Sequence, residues 1–295
     1  MNLGWIDFSD NDRKKTMDVL RLFQEKGAVD ELGIGIIRDG FANYFFPGTS
    51  TIQTRAKYFF IIPYAIMDTV SDSHVNSVQQ ALHRLDEIEK ESAVILKKNS
   101  DEQGVIGATV LPKWVVRTPS TIYWNGLRTL GIFNPGLLQN ISISEYFRLA
   151  IKLREEKKAS VLGNRKEETE ENDKDDANAG DFLFRNFWQL QYVQNWKNDL
   201  SINLTPNEAE YLATKIKTSN PKSVFAFVIR EDIDIEKYSD FSTFSSDLKP
   251  KLDEDNTSML ELADRFNDFI SIAQIRYNLI LSENKNEDAL SLWDD

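Results

Sequence analysis

The chain has 295 residues, a mass of 34.0 kDa, 41% hydrophobic and 28% charged residues, and a net charge of −12. That is long enough for one large domain or two smaller ones and too apolar for a wholly disordered chain. The absence of cysteine excludes disulfides, thiolate nucleophiles and cysteine-ligated metals, and two histidines, His74 and His83, exclude an all-histidine zinc site within one chain.

In chain order, Ser9 caps a helix predicted to reach about Lys26, with Thr16, Val19, Leu20 and Phe23 on its apolar side and Gly27 as its stop. A short helix follows from about Ile34 to Phe45, then a Pro47-Gly48 turn. Thr49 or Ser50 is read as the cap of the next helix, which Pro63 should kink or end because it lacks an N–H. The run Tyr58 to Met67 is the longest apolar stretch and falls well short of the roughly 20 residues that span a bilayer, so it is assigned to the core. With no basic leader ahead of an apolar run at the N-terminus, the expected location is cytoplasmic.

From His74 to about Lys97, Val75, Val78, Leu82, Leu85 and Ile88 form one stripe, with Arg84, Glu87, Glu89, Lys90 and Glu91 assigned to the wet sides. Gly104 to Val110 is a strand or a buried loop. Pro119 opens a helix through Leu130, and Ser142 or Ser144 caps one through about Lys158. Ser160 to Gly180 is read as a flexible linker, because between Glu167 and Asp181 eight acidic residues stand against Lys174 alone. Thr205-Pro206-Asn207-Glu208 is a capping box with proline at the first helical position. Pro221 to Ile229 is a short helix or a strand, and Ser239 to Asn256 is a loop. Ser258 to about Glu283 is a helix expected to be buried on more than one side.

No internal repeat and no coiled-coil heptad is evident. The fold class is therefore mainly α and multi-helical, with at most a few short strands. The expected division is an N-terminal helical region, 1–158, an acidic linker, 159–180, and a C-terminal helical region, 181–295, packed on the first.

Phosphate-loop, dinucleotide-binding and zinc-protease motifs are absent, and no cofactor is implied. His74 and His83 lie nine residues apart, half a turn out of register on a helix, so they do not share a metal. The charged grouping Asp30, Glu31, Arg38, Asp39, Arg55 and Lys57 leaves three readings open. It is a structural ion-pair network, with Asp39 buried against an arginine. It is an anion or nucleic-acid contact made by Arg38, Arg55, Lys57 and Thr51 at a helix start. Or Asp30, Glu31 and Asp39 hold a divalent metal in a nuclease. Arg117 and Arg128 flank the helix that begins at Pro119, a geometry compatible with a winged-helix recognition element, or with core aromatics beside solvent-facing arginines.

Leu3-Gly4-Trp5-Ile6-Asp7-Phe8-Ser9, Asp30-Glu31-Leu32-Gly33-Ile34-Gly35 and Phe46-Pro47-Gly48-Thr49-Ser50-Thr51 through Phe59 resemble a large bacterial family of uncharacterised proteins. So do Ser120-Thr121-Ile122-Tyr123-Trp124 through Ile132, Leu204 to Leu212, and Tyr277-Asn278-Leu279. The resemblance implies a nucleic-acid-related setting, beside helicases or nucleases in phage-defence clusters, and supplies no catalytic residue. The expected function is a non-enzymatic accessory protein that binds DNA or a nucleic-acid-processing partner. A metal-dependent nuclease and a protein-only scaffold are the alternatives. No membrane role is expected.

Overall fold

The apolar periodicity resolves into ten α-helices in the computed structural model, which describes residues 33–99, 103–136, 140–164, 187–283 and 285–294. They are α1 (Ile34–Phe45), α2 (Tyr58–Ser71), α3 (Val78–Asn99), α4 (Pro119–Thr129), α5 (Ile143–Asn164), α6 (Pro206–Ser219), α7 (Val224–Arg230), α8 (Phe241–Leu248), α9 (Glu254–Leu281) and α10 (Glu287–Asp294). The protein is mainly α. No strand occurs among the described residues, where the only β-type pairing is an isolated bridge between Phe133 and Trp188. No described helix is long and apolar enough to cross a membrane. The chain divides into two compact units, 1–41 and 42–295, with the boundary along the chain falling within α1.

The core of the larger unit is built on α2. Tyr58 to Met67 is buried without a break, so the helix presents no wet side. α2 packs on α3, α4 and α5. The same core takes in Trp188, Leu190, Trp196, Leu200, Leu212 and Ile216, so residues on both sides of the acidic stretch share one interior. A ring cluster of Trp124, Phe133, Tyr146 and Trp188 joins them, with centroids 4.7–6.4 Å apart. Its polar atoms are satisfied: Trp188 Nε1 donates to Tyr146 Oη at 3.0 Å, and Trp124 Nε1 to the Ile141 carbonyl at 3.0 Å.

Several helix starts follow the residues that announce them. Thr205 accepts from Glu208 N while Glu208 accepts from Thr205 N, the reciprocal box expected at α6. Ser142 and Glu145 repeat it at α5. Thr118 caps α4, with Pro119 at the first position.

Other expectations fail for identifiable reasons. Thr49 and Ser50 cap no helix: the Thr49 hydroxyl donates back to the Phe46 carbonyl at 2.7 Å, and α2 begins only at Tyr58. Pro63 does not end α2, which continues to Ser71, because a missing N–H costs one hydrogen bond while burial on all sides holds both halves. Of the two readings of residues 104–110, the loop is the one found, with turns at 106–110. α5 extends to Asn164, so the linker does not begin at Ser160; residues 165–180 lie outside the described residues. The segment read as loop after Ser239 contains α8. Asp240 caps it, and Phe244, Ser245 and Leu248 form its buried side. The predicted helix from Ser9 to Lys26 lies outside the described residues.

Candidate functional site

Arg55, Lys57 and Thr51 belong to the segment between the Pro47-Gly48 turn and α2, and that segment is fastened by tertiary contacts. The Tyr123 hydroxyl accepts from Thr54 N at 2.8 Å and Arg55 N at 3.0 Å, and donates to the Arg55 carbonyl at 2.9 Å. Burial of this phenol raises its pKa. Thr54 Oγ1 donates to the Gly104 carbonyl at 2.7 Å, and Arg55 Nε to the Gln103 carbonyl at 2.9 Å. A Cβ at Gly104, whose φ is +99°, would stand 3.0 Å from Arg55 Nε, so glycine there lets the guanidinium lie against the backbone. Thr51 is exposed in a turn and not at a helix start.

Lys57 is only 8% exposed, and its Nζ meets both carboxylate oxygens of Glu208 at 2.7 Å. Glu208 thereby completes the α6 capping box and pairs with the residue that precedes α2. The expected anion site has become a clamp between two helices. A buried, twice-bonded ammonium has little to offer a phosphate.

Arg38 and Asp39 do pair with each other, at 2.8 Å, but their side chains are 64% and 60% exposed, so the expected buried pair is a surface pair. Asp30 and Glu31 lie outside the described residues. Among the described residues no group of three or more histidines and carboxylates is placed to hold a metal. The His74 ring sits against Asp72 at 3.2 Å and the His83 ring against Glu87 at 3.5 Å, each exposed, in keeping with two separate surface histidines. Arg128 donates to Asn140 Oδ1 at 2.7 Å, while Arg117 is exposed beside Val116. α4 is not arranged as a winged-helix reader. Its first residues, Pro119 and Ser120, are buried, and no described strand could form a wing.

The first turn of α4 is occupied instead by Glu89 of α3. Its Oε1 accepts from Ser120 N at 2.6 Å, and its Oε2 finds no hydrogen-bond partner among the described residues. Burial pushes this carboxyl up from 4.5 to about 8, against the lowering effect of its bonds to Ser120. Sequence reading put Glu89 on a wet side; it is 2% exposed. The available signal was spacing, since Leu85, Glu89 and Ala93 recur at fours on one buried side of α3. Next to it opens a cleft of about 490 Å³, lined among others by Leu85, Asp86, Ser120, Thr121, Trp124 and Ser142. Hydroxyls, the Asp86 carboxylate, the His83 imidazole and an indole line it.

The second feature is an exposed face. α9 buries Asn256, Leu260, Ala263 and Leu279, whereas Leu262, Phe269, Ile272, Tyr277, Ile280 and Leu281 are exposed. The expectation of burial on more than one side is overturned. α8 and the following turn pack on the N-terminal part of this helix and α10 packs beside it, leaving one long side outward.

The fold defines a mainly helical protein. Residues 1–146 match the model of DUF6361, a family of unknown function. The match contains the segments around 3–9, 30–59 and 120–132 and does not extend to 204–212 or 277–279. No curated protein and no solved structure matches the chain.

Proposed function

We propose that this chain is a non-enzymatic accessory protein that works by contact with protein rather than by chemistry or by gripping a phosphate backbone. The outward apolar side of α9 carries this reading: Phe269 is 65% and Ile280 62% exposed, on a helix whose apolar pattern is that of a packed element. A monomer working alone rarely leaves so much apolar surface in water. Two further observations support it. Arg55 and Lys57 are engaged in holding the segment before α2, and the net charge of −12 opposes approach to a polyanion. A nucleic-acid-processing protein is the larger setting in which such an accessory protein would act.

The test is a filter-binding series with single- and double-stranded DNA and RNA across salt concentrations, run beside incubation with Mg²⁺ or Mn²⁺. The reading predicts neither cleavage nor a steep fall of binding with salt. Cleavage, or an affinity that drops log-linearly with salt and is reduced by Arg117→Ala, would replace it with direct action on nucleic acid.

A further inference from the structure

We infer that the outward side of α9 is the contact between two copies of this chain, packed antiparallel about a two-fold axis. This rests on the preceding reading and names the partner. Three observations carry it.

The first is area. Leu262, Phe269, Ile272, Tyr277 and Ile280 are each more than half exposed, and the α10 residue Trp293 nearly so. With aromatic side chains of roughly 150–250 Å² each, these fractions leave an apolar surface on the order of 800 Å². The largest patch on a typical monomer is about 300–600 Å², whereas each partner of a stable pair contributes about 800 Å².

The second is spacing. Leu262, Phe266, Phe269, Ala273, Arg276 and Ile280 follow one another at intervals of four and three. That is the seam of two facing helices, continued for about 27 Å. It is shorter than the three or four heptads by which a coiled coil is recognised in sequence, which is why the pattern escapes a heptad search.

The third is complementarity, which selects both the partner and its direction. Two antiparallel copies centred between Phe269 and Ala273 place Leu262 against Ile280 and the large Phe269 against the small Ala273. The same register puts Arg276 in one layer with the Phe266 ring of the other copy, a cation beside a ring. No like charges face each other. The parallel alternative sets Phe269 on Phe269 and Arg276 on Arg276, a poor fit in both volume and charge. Arg276 already lies over the Trp293 ring at 5.4 Å, so α10 helps to shape the seam. A surface that fits its own copy is the condition for a closed two-fold pair.

The chain has no cysteine, which makes direction measurable. Intact Leu262→Cys and Ile280→Cys variants are prepared separately, mixed, and treated with a short bismaleimide, beside sedimentation equilibrium of the wild type, Phe269→Asp and Leu262→Glu. Circular dichroism confirms that each variant is folded. The proposal expects a dimer mass for the wild type and monomer masses for both charged variants. It expects cross-linking in the mixture and little in either cysteine variant alone. A wild-type monomer at about 100 μM, a concentration ample for a pair of this area, would overturn it. So would cross-linking of Leu262→Cys to itself without the mixed product. A monomer that also fails to bind nucleic acid in the salt series removes the second copy and leaves the contact-protein reading standing, whereas salt-dependent nucleic-acid binding removes that reading whatever the mass.

Discussion

α2 and α9 are both rich in apolar residues, yet they meet opposite ends. Eleven of the 14 residues of α2 are buried, against four of the 28 in α9. α2 is surrounded by α3, α4 and α5 and by the tryptophans that follow the acidic stretch, and its polar exceptions are satisfied inside. Thr69 returns its hydroxyl to the Ala65 carbonyl at 2.8 Å, and Asp68 accepts from Tyr192 and Trp196 at 2.6 and 3.1 Å. α9 has neighbours along one side only. An apolar stripe reports that a surface seeks cover; it does not report whether the cover comes from the same chain.

The comparison is sharpened most by substitutions around α2. Phe60→Ala removes a ring from the middle of the core and is expected to cost about 3–5 kcal/mol in urea unfolding. Lys57→Met leaves the largely enclosed Glu208 carboxylate without its ammonium partner and is expected to cost about 3–5 kcal/mol, of which Lys57→Met with Glu208→Gln recovers a part. A loss below about 1 kcal/mol in the single variant would return Lys57 to the list of solvent-facing cations.

A smaller effect is expected where α4 meets the Pro47-Gly48 turn. A Cβ at Gly126 would stand 2.4 Å from the Gly48 carbonyl oxygen and 2.9 Å from the Phe59 ring. Gly126→Ala must push these elements apart, at about 1–3 kcal/mol, despite alanine's better helix propensity. A stabilised variant would show that the approach of α4 to this turn is looser than the structure has it.

Glu89 supplies the pH dependence. Its folded pKa of about 8 lies above its ordinary 4.5, so the folded state holds the proton more tightly. The contribution to stability is then fully present below pH 4.5, falls as the pH rises, and levels off above about 8. Glu89→Gln keeps an oxygen for Ser120 N and removes the ionisation. It should flatten the decline in stability between pH 5 and 8, read from urea midpoints. A slope identical to that of the wild type would mean that Glu89 is ionised throughout.

The helical class, the order of most elements, the helix start at Pro119 and the caps at Ser142 and Thr205 were legible in the sequence, because period and capping chemistry are local. The candidate sites were legible only as residue types. Arg55 and Lys57 drew attention as cations in a glycine-rich segment, but their partners, the Gln103 carbonyl and Glu208, are 48 and 151 residues away. Such separations leave no periodic trace. Glu89 was hidden by its charge, which assigns it to water unless the fours-spacing with Leu85 and Ala93 is given more weight. α8 was hidden by serines. α9 was recognised as a helix and misplaced in its burial, since the same pattern serves a core and an interface.

At the small end, Arg38→Ala and Asp39→Ala should each leave stability within about 0.5 kcal/mol, because their mutual pair is in water. Phe269→Asp should likewise cost a dilute monomer no more than about 0.5 kcal/mol, in contrast to Phe60→Ala. A multi-kcal loss at Phe269 would mean that this side of α9 is covered by its own chain.

The central claim, that α2 is the interior of one chain and α9 the meeting place of two, is tested most directly by the urea midpoint of the wild type as a function of protein concentration. Association of folded copies ties stability to concentration, so the midpoint should rise between about 1 and 100 μM and stay constant for Phe269→Asp. A wild-type midpoint independent of concentration over that range would contradict the claim.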